Sequence, residues 1–115
     1  MAVHLLNPQY EIQPVTISPI GSYTIIAQNC FKYRGILSIW FRLGNCASIA
    51  AKKWTYVATT PFAPTSSLDT FGGGYGNSNF SGIETRFSTD GQIGVWPVTT
   101  GYTEMYFYAV LQTAE

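Results

Sequence analysis

Carboxylates are the first residues whose chemistry could be catalytic. Glu84, Asp90 and Glu104 are of the type that hydrolyses glycosidic bonds when two of them lie across a cleft. Their spacing does not indicate such a cleft, because Glu84 falls in a predicted strand and Asp90 in a predicted turn. The single histidine, His4, has no cysteine or carboxylate at the spacing of a zinc site, and no G-x-S-x-G motif is present. The sequence therefore predicts a protein that is not an enzyme and that carries no metal or cofactor.

Binding chemistry is concentrated in residues 59–82, TTPFAPTSSLDTFGGGYGNSNFSG. Pro61 and Pro64 lack the N–H that a strand ladder needs, and four glycines follow between positions 72 and 76. We therefore predict a long irregular loop. It has neither the lysine nor the following helix of a phosphate-binding loop. Two interpretations remain open, a flexible surface loop and a binding loop on a rigid scaffold.

A binding loop of this composition would suit a saccharide. Aromatic rings stack on the CH groups of a sugar, while aspartate and asparagine side chains form hydrogen bonds with its hydroxyls. The candidate saccharide-binding residues are Asp69, Tyr75, Asn77, Asn79 and Trp96.

Trp96 ends a predicted hairpin with the sequence RFSTDGQIGVW, residues 86–96. Its Asp-Gly dipeptide predicts a two-residue type I′ turn, because both residue types tolerate positive φ angles. Alternation around the turn places Ile83 and Phe87 on an apolar face and Trp96 on the opposite face. Trp96 would then either pack against a neighbouring strand or subunit, or serve as a platform for a ligand.

These residues must be positioned by strands, because no segment of helical length has a 3.6-residue apolar period. Apolar residues alternate or form short runs between Gly, Pro, Asn and Asp, which is typical of strands. The predicted strands cover residues 10–18, 23–33, 36–44, 46–51, 54–59, 80–88, 92–98 and 102–112. The stretch ASIAAKK could instead form a short helical turn.

Two of the predicted strands differ in the number of faces that we expect to be buried. The strand after a predicted hairpin turn at Arg34-Gly35 should bury one stripe, while the other stripe carries Trp40 and Arg42, residue types enriched at interfaces. The predicted core stripe is Leu37, Ile39, Phe41 and Leu43. The last strand, YTEMYFYAVLQT, is apolar on both faces, which favours a central strand packed on its own core and on another subunit.

Length and charge limit the classes of protein. The 115 residues are predicted to form one all-β domain, residues 1–115, with an antiparallel β-sandwich or jelly-roll-like architecture. Six basic and six acidic residues cancel, which argues against nucleic acid or an anionic membrane as a partner. No apolar run approaches the ~18 residues of a membrane span.

Charged residues make up only 10% of the chain. About 25% is typical, so we expect a permanent homo-oligomer, a trimer, that covers part of the surface.

Two cysteines, Cys30 and Cys46, are predicted to be free thiols. A two-residue turn at the Arg-Gly dipeptide would pair Cys30 with Ile39 and Cys46 with Tyr23, too far apart along the ladder for the ~7 Å between Cα atoms that a disulfide needs. The N-terminal residues also lack the basic and apolar regions of a signal peptide, which indicates a reducing cytoplasm.

The order of these features resembles the C-terminal domains of bacteriophage tail-fibre and minor structural proteins. FKYRGILSIWFRL is similar to their strand–turn–strand opening, KKWTYVATTPFAPTS to the segment that follows, RFSTDGQIGVW to their late hairpin and TGYTEMYFYAVLQT to their aromatic closing strand. The resemblance covers residues 23–115. The glycine-rich stretch and the missing Gly-Tyr-Arg between the prolines depart from the pattern, so no binding residue is transferred.

The resemblance implies a β-sandwich tip domain of the virion tail, usually trimeric and assembled in the host cytoplasm, that binds a saccharide of the host surface. Two other functions stay open. One is a purely structural virion domain whose partner is its neighbour. The other is a stand-alone carbohydrate-binding module, for which a monomer is expected.

Overall fold

The structure, a computed structural model, describes residues 11–76 and 79–114. It contains the strands β1 (Gln13–Val15), β2 (Ser18–Pro19), β3 (Thr24–Gln28), β4 (Cys30–Tyr33), β5 (Ile36–Gly44), β6 (Thr55–Thr59), β7 (Leu68–Gly76), β8 (Asn79–Phe87), β9 (Gln92–Trp96) and β10 (Glu104–Gln112). Every ladder between them is antiparallel, and the described residues include no helix. The all-β prediction is confirmed. It follows that none of these residues belongs to a helix long and apolar enough to cross a membrane.

The strands form one curled sheet in the order β1-β4-β5-β10-β7-β8-β9-β6-β2, and β3 pairs with the far end of β5. Its two edge strands, β1 and β2, are joined by only Thr16 and Ile17, so the two ends of the sheet come close together. The halves of the sheet enclose a single apolar core, which is compatible with the predicted sandwich class. Within it, Phe41 and Phe107 stack with 4.5 Å between ring centroids.

The pair β5–β10 confirms the predicted burial of one stripe in each strand. The core stripe of β5 is fully buried, and so are the alternate residues of β10, from Met105 to Leu111. The other stripe of β10, which includes Tyr108 and Val110, faces outwards. Residues of this chain therefore bury one face of β10. They do not cover its other face, whose burial was also predicted.

The two predicted hairpin turns differ from one another. At Arg34-Gly35 both φ angles are positive, 52° and 77°, and Tyr33 pairs with Ile36, which confirms a two-residue turn. The Asp-Gly prediction was wrong in its turn type. There the loop is three residues long, with Gly91 in the left-handed region at a φ of 85°. The extra residue aligns Ile93 with Phe87, so that buried positions meet.

The glycine-rich segment is not a loop, which corrects the prediction for residues 59–82. Residues 68–76 form β7, which pairs with β8 along its whole length and with β10 at Gly73–Tyr75. The glycines allow close approach: a Cβ atom at Gly72 would lie 2.0 Å from the carbonyl oxygen of Tyr106, and one at Gly76 would lie 2.2 Å from that of Gly101. Among the described residues of this segment, only 60–67 are irregular, apart from a bridge between Pro64 and Thr113.

The predicted strand at residues 46–51 is also wrong. Asn45 and Lys52 both adopt positive φ angles, 63° and 58°, and the N–H of Ile49 donates to the carbonyl of Cys46, so the segment forms turns. The predicted strand at 23–33 is divided into β3 and β4 at Asn29. The predicted strand at 10–18 is reduced to the short β1 and β2, and its first residue lies outside the described residues.

Both cysteines are free thiols, as predicted, and both are buried. Cys46 does not pair with Tyr23, however, because β5 ends at Gly44 and a bulge between Ile25 and Ala27 shifts the register of β3. Burial raises the pKa of both thiols, that of Cys46 to about 12.

Candidate functional site

The outward face of β7, β8 and β9 carries the side chains best suited to contact a ligand. In β8, Ile83 and Phe87 are buried, so Gly82, Glu84 and Arg86 face away from the core. Paired residues in an antiparallel ladder point to the same side of the sheet, so the outward residues of the three strands form rows across it.

One row consists of Phe71 in β7, Glu84 in β8 and Trp96 in β9. Directly paired residues have Cβ atoms about 4.5–5.5 Å apart, so an aromatic ring stands on each side of the carboxylate. The next row, Gly73 opposite Gly82, has no side chains. The result is a groove of about 270 Å³, here named the aromatic groove. It is lined by Phe71, Gly82, Ile83, Glu84, Trp96 and Val98.

Gly82 keeps the aromatic groove open although the backbone does not require a glycine there. A Cβ atom at Gly82 would meet only the carbonyl oxygen of Gly72, at 3.9 Å, which is an ordinary contact. Gly73 on the opposite strand is different, because the ring of Phe80 lies over it and stacks on Tyr106 with 5.7 Å between centroids. A side chain at position 82 would therefore fill the groove without displacing the sheet.

A more polar depression of about 540 Å³ lies next to the aromatic groove. It is lined by Tyr56, Ser67, Asp69, Arg86 and Ser88. The guanidinium of Arg86 lies 3.9 Å from the ring centroid of Trp54, and its Nε and Nη2 donate to the two carboxylate oxygens of Asp69 at 2.8 and 3.0 Å. This hydrogen bonding lowers the pKa of Asp69 and raises that of Arg86. Asp69 is thus already bound to a partner within the chain.

The predicted saccharide-binding residues do not all meet. Trp96 lies in the aromatic groove and Asp69 in the adjoining polar depression. Tyr75 is four residues from Phe71 along β7, a separation of about 13 Å. Asn79 lines a separate depression with Thr99, Thr100 and Tyr102. Asn77 lies outside the described residues.

Of the six residues that line the aromatic groove, sequence reasoning identified only Trp96. The missed residues include Phe71 and Glu84, and the stacking of Arg86 on Trp54 was also missed. A signal for Glu84 was present, because the alternation in SGIETRF places it opposite the apolar face that includes Ile83. Phe71 had no such signal, since the glycines after it removed the pattern of a strand.

A second surface, the β5–β10 face, is formed by the outward side chains of those two strands. Trp40 pairs with Tyr108 and Ser38 with Val110, and Tyr108 is 58% exposed. Beside them Arg42 forms an ion pair with Glu104 and lies 5.6 Å from the ring centroid of Tyr106. The hydrogen bond to Glu104 raises the pKa of Arg42. This face combines exposed apolar groups with one neutralised ion pair.

In the part of the chain that the structure describes, no three His, Cys, Asp or Glu residues are close enough to hold a metal ion. No protein-family model matches the chain, and neither a curated protein nor a solved structure shows significant similarity to it.

Proposed function

We propose that this chain is a saccharide-binding domain and that the aromatic groove is its binding site. One observation carries the proposal: Phe71 and Trp96 flank the carboxylate of Glu84 on a paired sheet, next to Gly82, over which the surface is open. Aromatic rings supply apolar faces for the CH groups of a sugar, and a carboxylate accepts hydrogen bonds from its hydroxyls.

The dimensions of the groove support a ligand as small as one sugar ring. Its volume of about 270 Å³ lies just below the roughly 300–1,000 Å³ typical of pockets for drug-sized molecules. Phe71 and Trp96 are separated by one intervening strand, which places their Cα atoms about 10 Å apart. Because Glu84 stands between them, a sugar ring would lie beside the carboxylate, over Gly82, and in contact with the aromatic walls.

In the organism, this binding would serve recognition of a host cell surface by a bacteriophage tail. The resemblance of residues 23–115 to tail-fibre tip domains is the support for that role. Placement of the groove on paired strands rather than on a mobile loop also suits a receptor-binding tip, because less conformational freedom is lost on binding.

A glycan array followed by titration calorimetry tests the proposal. Trp96→Ala and Phe71→Ala should each weaken binding by about 1–3 kcal/mol, the scale of burying a large apolar side chain. That corresponds to about 5- to 150-fold in Kd. Tyr75→Ala is the matched control, since it removes an exposed aromatic residue of the same strand outside the groove. Absence of binding to any glycan, or unchanged affinity in both groove variants, would contradict the proposal.

A second candidate function is assembly, in which the β5–β10 face packs against further copies of this chain to form a homotrimer. It is favoured by Trp40, Tyr108 and Val110, which lie together on this face, and by the low overall charge. The Arg42–Glu104 pair suits such a contact, because it is neutral as a unit and can be covered at less cost than an isolated charge.

Light scattering and sedimentation test the assembly. The expected particle has three times the 12.7 kDa mass of one chain. A double variant, Tyr108→Lys with Val110→Lys, should lower that mass to one chain without unfolding, because both side chains are exposed. A monomeric parent protein at micromolar concentration would eliminate this candidate and would favour a stand-alone carbohydrate-binding module.

A further inference from the structure

We infer that the saccharide bound in the aromatic groove carries a positively charged amine and that Glu84 binds this amine. The inference rests on the proposed saccharide site and adds the chemical class of its ligand: an amino sugar whose nitrogen is not acetylated.

Glu84 is an exposed carboxylate between two aromatic side chains, and it has no hydrogen bond or ion pair with any other described residue. The other carboxylates that face outwards nearby are engaged. Asp69 accepts two hydrogen bonds from Arg86, and Glu104 pairs with Arg42. Among these groups, Glu84 is the one that holds a negative charge without a partner.

The charged side chains that line the aromatic groove and the polar depression favour a cation. The aromatic groove and the adjoining polar depression together hold two carboxylates, Asp69 and Glu84, against one guanidinium, Arg86, which leaves one excess negative charge. The guanidinium is directed to Asp69 and stacked on Trp54, so it does not neutralise Glu84 by direct contact. An acidic saccharide would meet repulsion here, whereas an ammonium group would be attracted.

The aromatic walls strengthen the same preference. An ammonium held near the face of a tryptophan or phenylalanine ring is attracted by the ring quadrupole. Its hydrogen bond to a carboxylate is also stronger than that of a neutral hydroxyl. Trp96, Phe71 and Glu84 therefore offer an amino sugar two attractions that a neutral hexose or an acetylated hexosamine lacks.

Biolayer interferometry with three matched pairs of immobilised sugars tests the inference. The pairs are glucosamine and N-acetylglucosamine, galactosamine and N-acetylgalactosamine, and mannosamine and N-acetylmannosamine. At low salt and mildly acidic pH, the amine of at least one pair should bind the wild-type protein about 5- to 30-fold more tightly than its acetylated partner. This ratio should decrease as ionic strength rises.

Two variants separate the inference from the function on which it rests. Glu84→Gln should remove the preference for the amine and retain binding of the acetylated sugar, whereas Trp96→Ala should weaken both. Asp90→Asn is the matched control, because it removes one negative charge from an exposed turn outside the groove and should leave the ratio unchanged.

The outcomes are distinguishable. Binding of the acetylated sugar as tightly as the amine, with the expected loss in Trp96→Ala, would overturn the inference and leave the saccharide function in place. An amine preference that persists in Glu84→Gln, or that also disappears in Asp90→Asn, would overturn the role of Glu84. No binding to any of the six sugars would overturn the inference together with the hexose site.

Discussion

Two glycines on neighbouring strands, Gly72 in β7 and Gly82 in β8, differ in what surrounds them. Alanine at position 72 would press a methyl group against the backbone of β10, whereas alanine at position 82 would enter free space. We therefore expect Gly72→Ala to destabilise the protein and Gly82→Ala to stabilise it, although both variants replace the same residue type in adjacent strands.

The magnitudes follow from the contacts. An alanine Cβ at position 72 would lie 2.0 Å from the carbonyl oxygen of Tyr106, so β7 and β10 must separate by more than about 1 Å to restore an ordinary contact. Such overpacking costs about 1–3 kcal/mol. Loss of one hydrogen bond from the short β7–β10 ladder adds about 1 kcal/mol. At position 82, the main effect of alanine is on the unfolded chain, which has less conformational freedom with alanine than with glycine. This stabilises the folded protein by about 0.4–1 kcal/mol.

Thermal unfolding followed by circular dichroism measures both effects. A domain of this size changes its Tm by about 4 °C per kcal/mol. Gly72→Ala should lower the Tm by roughly 8–16 °C and Gly82→Ala should raise it by roughly 2–4 °C, given the free energies above. Shifts of the same sign and size in the two variants would refute the reasoning, because they would mean that β7 does not approach β10 closely.

Three further predictions concern the aromatic groove, the two cysteines and the Asp69–Arg86 ion pair. Gly82→Trp should fill the aromatic groove and lower saccharide affinity at least about tenfold while the Tm stays within a few degrees of wild type, as calorimetry and thermal unfolding can measure. Cys30 and Cys46 should react slowly with a disulfide reagent in the folded protein and fully in urea, because burial raises the pKa of both thiols, that of Cys46 to about 12. Asp69→Asn should reduce stability at neutral pH, and the difference in free energy of unfolding from wild type should decrease as the pH falls below about 4. The sign follows because the hydrogen bond from Arg86 lowers the pKa of Asp69 in the folded state.

Each of these three has an outcome that would contradict it. A Gly82→Trp protein that binds saccharide normally would place the site elsewhere. Rapid labelling of both thiols without denaturant would mean that neither sulfur is buried. For Asp69→Asn, a stability difference from wild type that stays constant from neutral to acidic pH, measured by urea unfolding, would show that the ion pair makes no pH-dependent contribution.

The strands with regular side-chain alternation could be predicted from sequence. The sequence predicts β5 at residues 36–44, which agrees with its observed bounds Ile36–Gly44, because a period of two in its apolar residues follows a two-residue turn. The sequence also predicts its partner β10 as a strand, but that strand is apolar on both faces. The pattern therefore defines the buried face of β5 and not that of β10.

β7 could not be predicted, because a strand made largely of glycine shows no alternation of side chains. Its glycines are required by contacts with Tyr102, Tyr106 and Gly101, which lie about 30 residues later in the chain. The prediction of a strand at residues 46–51 was wrong for the opposite reason. These residues form a short, mostly apolar run like that of a buried strand, but Asn45 and Lys52 adopt left-handed conformations that turn the chain at both ends.

The candidate site was predicted only in part, because it depends on register across two hairpins. Trp96 was recognised as an outward residue, but its pairing with Glu84 requires a three-residue loop after Ser88 rather than the predicted two-residue turn. A slip of one residue would have paired Trp96 with the buried Thr85. The match between Ile93 and Phe87 was the information in the sequence that could have fixed this register.

The position of β10 also affects how the protein is made. β10 follows all the other described strands in the chain, yet it lies between β5 and β7 within the sheet. While Glu104–Gln112 is still inside the ribosome, β5 and β7 each have an unpaired edge, and the apolar faces of both halves of the sheet lack their final cover. Sheets assembled from such distant pairings fold slowly, and open edges on nascent chains pair with other chains. Translation speed across these nine residues should therefore influence the yield of folded protein, and a chain terminated before Glu104 should aggregate.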